Sequence, residues 1–275
     1  MFDWSERLLS NNPLVTQINE WAHLLEAEMQ RTAVVTGAAG SIGLGATRKL
    51  IEGGRRVVMV DRDSEALAKA ASTLPTDKTM PVAIDISDAD APLKIHQAAR
   101  TWGPVSILVN NAAISPKHDG LAAGLLAIDE QEWNQVFLIN VTAGLRLAKE
   151  FVPDMIAQNW GRIVNISSRA GRSHANAAGV AYMTSKAAIL GMTRSFASEF
   201  ARSGITANSV APGIVESALT ARVAPELLQK IYEKTPAGRA GTPDELGATI
   251  AFLASEDAGF INGACVDING GALMC

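Results

Sequence analysis

Ala33-Val34-Val35-Thr36-Gly37-Ala38-Ala39-Gly40-Ser41-Ile42-Gly43 is the stretch on which the fold turns. A short apolar, β-branched run ends in closely spaced glycines, and a helical stretch follows them. Glycine brings backbone N–H groups close to an anion, and the start of a helix adds the positive end of its dipole. A tight strand-to-helix turn also wants glycine for steric reasons alone. The setting favours the first reading, because a buried strand before the turn and a helix after it are what a pyrophosphate-binding turn requires.

Downstream the same alternation recurs. Strand-like runs are expected at Ala33 to Thr36, Arg56 to Val60, Pro81 to Ile84, Ile107 to Val109, Arg162 to Ile166, Thr206 to Val210 and Ala264 to Ile268, with Ala/Leu-rich helical stretches between them. Strands joined by crossover helices imply a parallel sheet, and no repeat or Pro/Ser-rich linker divides it. The expectation is one α/β domain over residues 31–275, a Rossmann-like, doubly wound parallel sheet of seven strands. Residues 1–30 precede it as an N-terminal helical arm. Asn12 caps a helix with Pro13 at its first position, and Leu14, Ile18, Trp21 and Leu25 form an apolar stripe that needs covering, by the domain or by a neighbouring subunit.

The 275 residues suffice for a large core, and 48% hydrophobic with 19% charged residues describes a compact globular chain. No apolar run approaches the ~20 residues of a membrane span. The net charge of -4, without a dense basic block, argues against nucleic acid and anionic membranes and in favour of a small-molecule partner. Two cysteines, Cys265 and Cys275, and four histidines without metal-ligand spacing predict reduced thiols and no metal.

Asp61 closes the second strand, where a carboxylate can accept bonds from adenosine ribose hydroxyls and repel a 2′-phosphate. That favours NAD. The neighbouring Arg62 offers such a phosphate a partner, so NADP stays open, and Asp61 has a second reading as a helix cap. Asp85, with Ile86 beside it, follows the third strand and either meets the adenine edge or serves as a turn residue. After the fourth strand, Asn110-Asn111-Ala112-Ala113 is small and amide-rich, suited to close packing beside a cofactor. In Tyr182-Met183-Thr184-Ser185-Lys186, a phenol and an ammonium share one helix face. A nearby ammonium favours the phenolate, which makes Tyr182 a candidate general acid/base.

In their order and kind, these residues resemble the single-domain branch of the short-chain dehydrogenase/reductase family over residues 31–275. The likeness is carried by the glycine turn, Asp61, Asp85, Asn110-Asn111-Ala112, Asn140, Ser167-Ser168, Tyr182-x-x-x-Lys186, Pro212-Gly213 and the closing Asn269-Gly270-Gly271. Two positions depart from the pattern. Ser41 stands at the middle glycine position with Gly40 before it, a spacing that resembles the two-domain, epimerase-like branch, and Ala113 replaces a usual glycine. The short stretch after Lys186 and the glycine-pair ending match the shorter branch.

The resemblance implies a tetrad of Asn140, Ser168, Tyr182 and Lys186. Ser168 fits the family's Ser-x-x-Gly ahead of Gly171, with Ser167 as the alternative. Ser168 would hold the substrate oxygen, Lys186 would lower the Tyr182 pKa and bond the nicotinamide ribose, and Asn140 would hold a water linking Lys186 to solvent or else be an ordinary buried amide. Implied cofactor contacts are Gly37, Gly40, Ser41, Ile42, Gly43, Asp61, Arg62, Asp85, Ile86, Asn111, Ala112, Ala113, Tyr182, Lys186, Pro212, Gly213, Ile214 and Ser217. The nucleotide half spans about 31–140 and the catalytic half about 141–275, with a lid at about 216–240 and an apolar wall at Leu219 and Val223. Substrate candidates are Ser115, His174, Asn176 and Leu219, while His118 is a weaker one.

The resulting expectation is a cytoplasmic, homotetrameric NAD-dependent oxidoreductase acting on a secondary alcohol or its ketone, such as a polyol, sugar or hydroxy acid. The rival is an NADPH-dependent 3-oxoacyl thioester reductase. A non-catalytic nucleotide-binding scaffold is the alternative from another class.

Overall fold

The computed structural model describes residues 31–118, 122–173, 178–217 and 225–274, together with Gln17. The expected helix within residues 1–30, the candidates His174, Asn176 and Leu219, and the wall residue Val223 lie outside these. The strands are β1 (Thr32–Thr36), β2 (Arg56–Asp61), β3 (Thr79–Ala83), β4 (Val105–Asn110), β5 (Gly161–Ile166), β6 (Ile205–Pro212) and β7 (Cys265–Ile268). They form one seven-stranded parallel sheet in the order β3-β2-β1-β4-β5-β6-β7. The helices are α1 (Ser41–Glu52), α2 (Ser64–Ala71), α3 (Ala91–Ala99), α4 (Glu130–Phe137), α5 (Ala143–Ala157), α6 (Val180–Phe200), α7 (Pro225–Glu233) and α8 (Pro243–Leu253).

All seven expected strands are present. The third begins earlier than expected, at Thr79, because Pro81 sits inside it. β3 is an edge strand, so the N–H that proline lacks is not missed by a further neighbour.

Alternation along each strand sends side chains to opposite faces of the sheet. Val34, Val58, Leu108 and Ile163 pack with Ile95, Leu147, Phe151 and Phe196 of α3, α5 and α6. Val35, Val57, Met59, Ile107 and Val164 pack with Leu50, Leu67, Ile250 and Leu253 of α1, α2 and α8. Burying an aromatic or branched aliphatic side chain of this kind contributes about 1.5–3 kcal/mol. α1 and α8 approach until their backbones meet: a methyl group on Gly45 would overlap the Pro243 carbonyl, and one on Gly247 would overlap that of Gly45.

Between α3 and α5, His96 Nδ1 lies 2.7 Å from Glu150 Oε1 and Nε2 2.8 Å from Asp154 Oδ2, so both ring nitrogens face a carboxylate. The Val105 N–H also donates to Asp154, tying β4 to this cluster.

The strand order reverses between β1 and β4, and in sheets of this kind ligands bind at the carboxyl ends of the strands, beside such a reversal.

Candidate active site

A cavity of about 650 Å³ opens over the carboxyl ends of the strands, and its walls bring together residues far apart in sequence. Gly37, Gly40, Ser41, Ile42, Asp61, Arg62, Asp85, Ile86, Asn111, Ala112 and Ala113 line one part. Ser115, Ser167, Ser168, Tyr182, Lys186, Pro212, Gly213 and Ser217 line the rest. Among the described sequence candidates, Gly43, His118, Asn140 and Ile214 do not line it, and His118 faces Glu132 instead. Val60, Ile84, Ile114, Ile139, Ile166 and Val215 line it without having been singled out, since an apolar residue at a strand end carries no separate signal in the sequence.

The glycine turn has the geometry an anion needs. Gly37 is left-handed at φ 63°, and a methyl group there would meet Asn111 Nδ2 at 2.8 Å. A methyl group on Gly43 would overlap the Gly37 carbonyl. Asn111 fastens the turn: its Nδ2 donates to Thr36 O at 2.8 Å and Gly37 O at 3.0 Å. α1 starts at Ser41 with no side-chain cap on its amides, so the helix presents its opening N–H groups toward the cavity. This cradle fits a pyrophosphate.

Asp61 does not cap the next helix. That role belongs to Asp63, whose carboxylate accepts from Ala66 N at 2.9 Å. Asp85 accepts from Ser87 N at 2.9 Å, and this bond holds its carboxyl below the ordinary range. It is thus a turn residue that also lines the cavity.

Tyr182 and Lys186 stand one turn apart on α6, with the Lys186 Nζ 5.6 Å from the Tyr182 ring centroid. Lys186 is buried and donates from Nζ to Ile166 O at 2.7 Å. Burial pulls its pKa down to about 7. Burial also pushes the Tyr182 phenol above its ordinary value, an effect partly offset by the Ser168 hydroxyl. In the folded chain desolvation thus raises the phenol, against the expected lowering by a lysine charge.

The two serines have separate duties. Ser167 Oγ donates to the Lys186 carbonyl at 2.7 Å and is spent on holding α6 to β5. Ser168 interacts with the phenol and accepts from Ala170 N at 3.1 Å. Gly171 lets this segment press on α6, since a methyl group there would meet the Lys186 carbonyl carbon at 2.5 Å.

Asn140 lies not within a regular helix but in a π-helical turn, Leu138–Thr142, between α4 and α5. Its Oδ1 accepts from Ile114 N at 2.8 Å, and its Nδ2 donates to Ile114 O and Ser185 Oγ, both at 3.0 Å. The side-chain amide is thus occupied by Ile114 and Ser185.

One further residue fastens α6. Asn165 of β5 accepts from Asn110 Nδ2 and donates to Thr193 Oγ1, both at 2.9 Å. A polar residue inside a strand was the only available signal, and it is too common to stand out.

Beyond β6, Val215 forms a parallel bridge with Gly241, and the Ala237 N–H donates to Gly270 O at 2.9 Å. The Ile214 carbonyl accepts from Gly241 N at 3.0 Å, so that carbonyl helps fasten the loop. α7 lies between these anchors. Cys265 is unpaired, burial pushes its thiol up, and no cluster of metal-ligating side chains occurs among the described residues. No helix among them is long and apolar enough to cross a membrane.

Comparison with known proteins agrees with this geometry. A family model described as enoyl-(acyl carrier protein) reductase matches residues 37–272. Galactitol 2-dehydrogenase (L-tagatose-forming) of Cereibacter sphaeroides is 37% identical over 87% of this chain and 93% of its own length. A 3-oxoacyl-[acyl-carrier-protein] reductase of Vibrio cholerae is 35% identical over 89% of this chain and 98% of its own. The crystal structure of a 3-oxoacyl-[acyl-carrier protein] reductase from Brucella melitensis superposes with a TM-score of 0.83 at 32% identity, covering 89% of this chain and 92% of that one. A second Brucella melitensis structure, with bound NAD, gives 0.80 at 30% identity over the same shares. With the seven-stranded parallel sheet and a model match spanning nearly the whole described domain, this chain belongs to the short-chain dehydrogenase/reductase family of NAD(P)-dependent oxidoreductases.

Proposed function

We propose that the protein is an NAD-dependent dehydrogenase of secondary alcohols, with polyols and related sugar alcohols as the substrate class and Tyr182 as general acid/base. The observation that carries this is the single cavity in which Ser168, Tyr182 and Lys186 share walls with the glycine turn and Asp61. A bound nicotinamide would supply the hydride acceptor for oxidation of the alcohol and the hydride donor for reduction of the ketone.

The protein's residues do the rest. Ser168 donates to the substrate oxygen and holds it beside the phenol. Tyr182 takes the hydroxyl proton during oxidation and returns it to the carbonyl oxygen during reduction. Lys186 as ammonium bonds the nicotinamide ribose, whose acceptors add to the Ile166 carbonyl that it already meets and so favour its charge. The charge then favours the phenolate. Asn140 supports a water that links Lys186 to solvent. Gly37, Gly40, Ser41 and Ile42 cradle the pyrophosphate, Asp61 takes the adenosine ribose, and Asp85, Ile86, Asn111, Ala112 and Ala113 line its path. Pro212, Gly213, Ile214 and Ser217 receive the carboxamide end, with the segment at about 216–240 as lid and Ser115 toward the substrate.

The polyol reading is supported by the likeness to galactitol 2-dehydrogenase. An NADPH-dependent 3-oxoacyl thioester reductase is the second reading, supported by the relatives of that name. Asp61 favours the first, because its carboxylate repels a 2′-phosphate. A homotetramer in the cytoplasm completes the proposal, and a monomeric mass in solution would contradict the assembly. The decisive experiment measures kcat/KM for galactitol and other polyols with NAD, and for a 3-oxoacyl thioester with NADPH and NADH. Preference for polyol and NAD supports the proposal, and preference for thioester and NADPH refutes it.

A further inference from the structure

The turn between β1 and α1 is held at its base and at its tip by different side chains. Asn111 takes the Thr36 and Gly37 carbonyls at the base. At the tip, the backbone N–H groups of Ala38 and Gly40 donate to the backbone, to Val60 O and Gly37 O, both at 3.1 Å. The Ala39 N–H instead donates to Asp61 Oδ2 at 3.1 Å. The other carboxylate oxygen accepts from Asp63 N at 3.2 Å, so Asp61 is fixed from the turn on one side and from the end of its own strand on the other. Among the described residues, Asp61 is the side chain that fastens the tip.

We propose that Asp61 is a positioning residue for the phosphate-binding turn, clasping Ala39 so that Gly40, Ser41 and Ile42 keep their place on the cavity wall. Its role as ribose acceptor rests on the cofactor reading above, whereas the clasp does not. Cofactor choice and turn geometry are then set by one carboxylate. Removing it to admit a 2′-phosphate removes the repulsion and also loosens the amides that hold the pyrophosphate, so the gain in NADPH affinity is smaller than the loss of repulsion alone would give.

The test is amide hydrogen exchange in cofactor-free wild type, Asp61→Ala and Asp61→Asn, followed in a peptide spanning residues 37–43 and in one from β5. Loss of a hydrogen bond to a charged acceptor corresponds to about tenfold faster exchange for a locally opening amide. The alanine variant is expected to show this in the turn and not in β5. The asparagine variant, whose amide oxygen still accepts, stays closer to wild type. Equal exchange in all three proteins overturns the proposal, as does acceleration shared equally by β5. Titrating wild type with NADH and NADPH separates the two ideas: if neither binds, the cofactor reading falls while the exchange result still decides the clasp.

Discussion

Replacing Lys186 with methionine is expected to change how stability depends on pH. An unfolded lysine titrates near 10.5, and burial brings Lys186 in the folded chain to about 7. Between those values the unfolded state carries more protons than the folded one, so stability rises with pH across that window. It reaches its lower plateau below pH 7, where both states are protonated. Each unit of pKa difference corresponds to about 1.4 kcal/mol, which sets the full span at about 5 kcal/mol and the part falling between pH 7 and 9 at about 2 kcal/mol.

Lys186→Met retains the bulk of the side chain and removes the titration. Urea unfolding of both proteins at pH 7, 8 and 9 and one protein concentration should show the wild type gaining about 2 kcal/mol relative to the variant over that range. The constant offset from losing the bond to Ile166 O does not enter this difference. Parallel stability curves would refute the reasoning, because they would mean that Lys186 stays charged within the fold. Saturating NADH should flatten the wild-type slope, since the proposed ribose contact adds acceptors to the Ile166 carbonyl and favours the ammonium.

Tyr182→Phe should reduce kcat by ~10²- to 10⁴-fold, as judged by steady-state kinetics. A variant as active as wild type would instead support a role for the fold without this chemistry. Gly247→Ala places a methyl group against the Gly45 carbonyl and should destabilise the fold by about 1–3 kcal/mol, seen as a lowered Tm. His96→Leu strips both Glu150 and Asp154 of their shared hydrogen-bond partner and should cost about 1–3 kcal/mol in chemical denaturation at pH 7.

The sheet was legible because each strand is a compact apolar run bounded by turn residues, and the glycine turn was legible because its residues must be small wherever the backbone comes close. β3 was placed late because proline inside a strand reads as a boundary, and only the strand order reveals that Thr79–Ala83 lies at an edge. Motif spacing preferred Ser168 to Ser167; that Ser167 donates to the Lys186 carbonyl could not be read from spacing, because the two lie on different elements. The electrostatics of Tyr182 and Lys186 could not be read from spacing, which gives proximity but not desolvation. For the same reason Asn165, Thr193 and Ser185 passed unnoticed: their partners come from elements far away in sequence.

The bridge between Val215 and Gly241, with the second tie from Ala237 to Gly270, has a consequence for how this scaffold can diversify. Because the two stems of the intervening segment are fastened to each other, its length and composition can vary at small entropic cost without pulling on β6 or α8. If the segment is the lid proposed above, it is an exchangeable cassette in which a new specificity can be tried by transplantation while Tyr182 and Lys186 on α6 keep their positions.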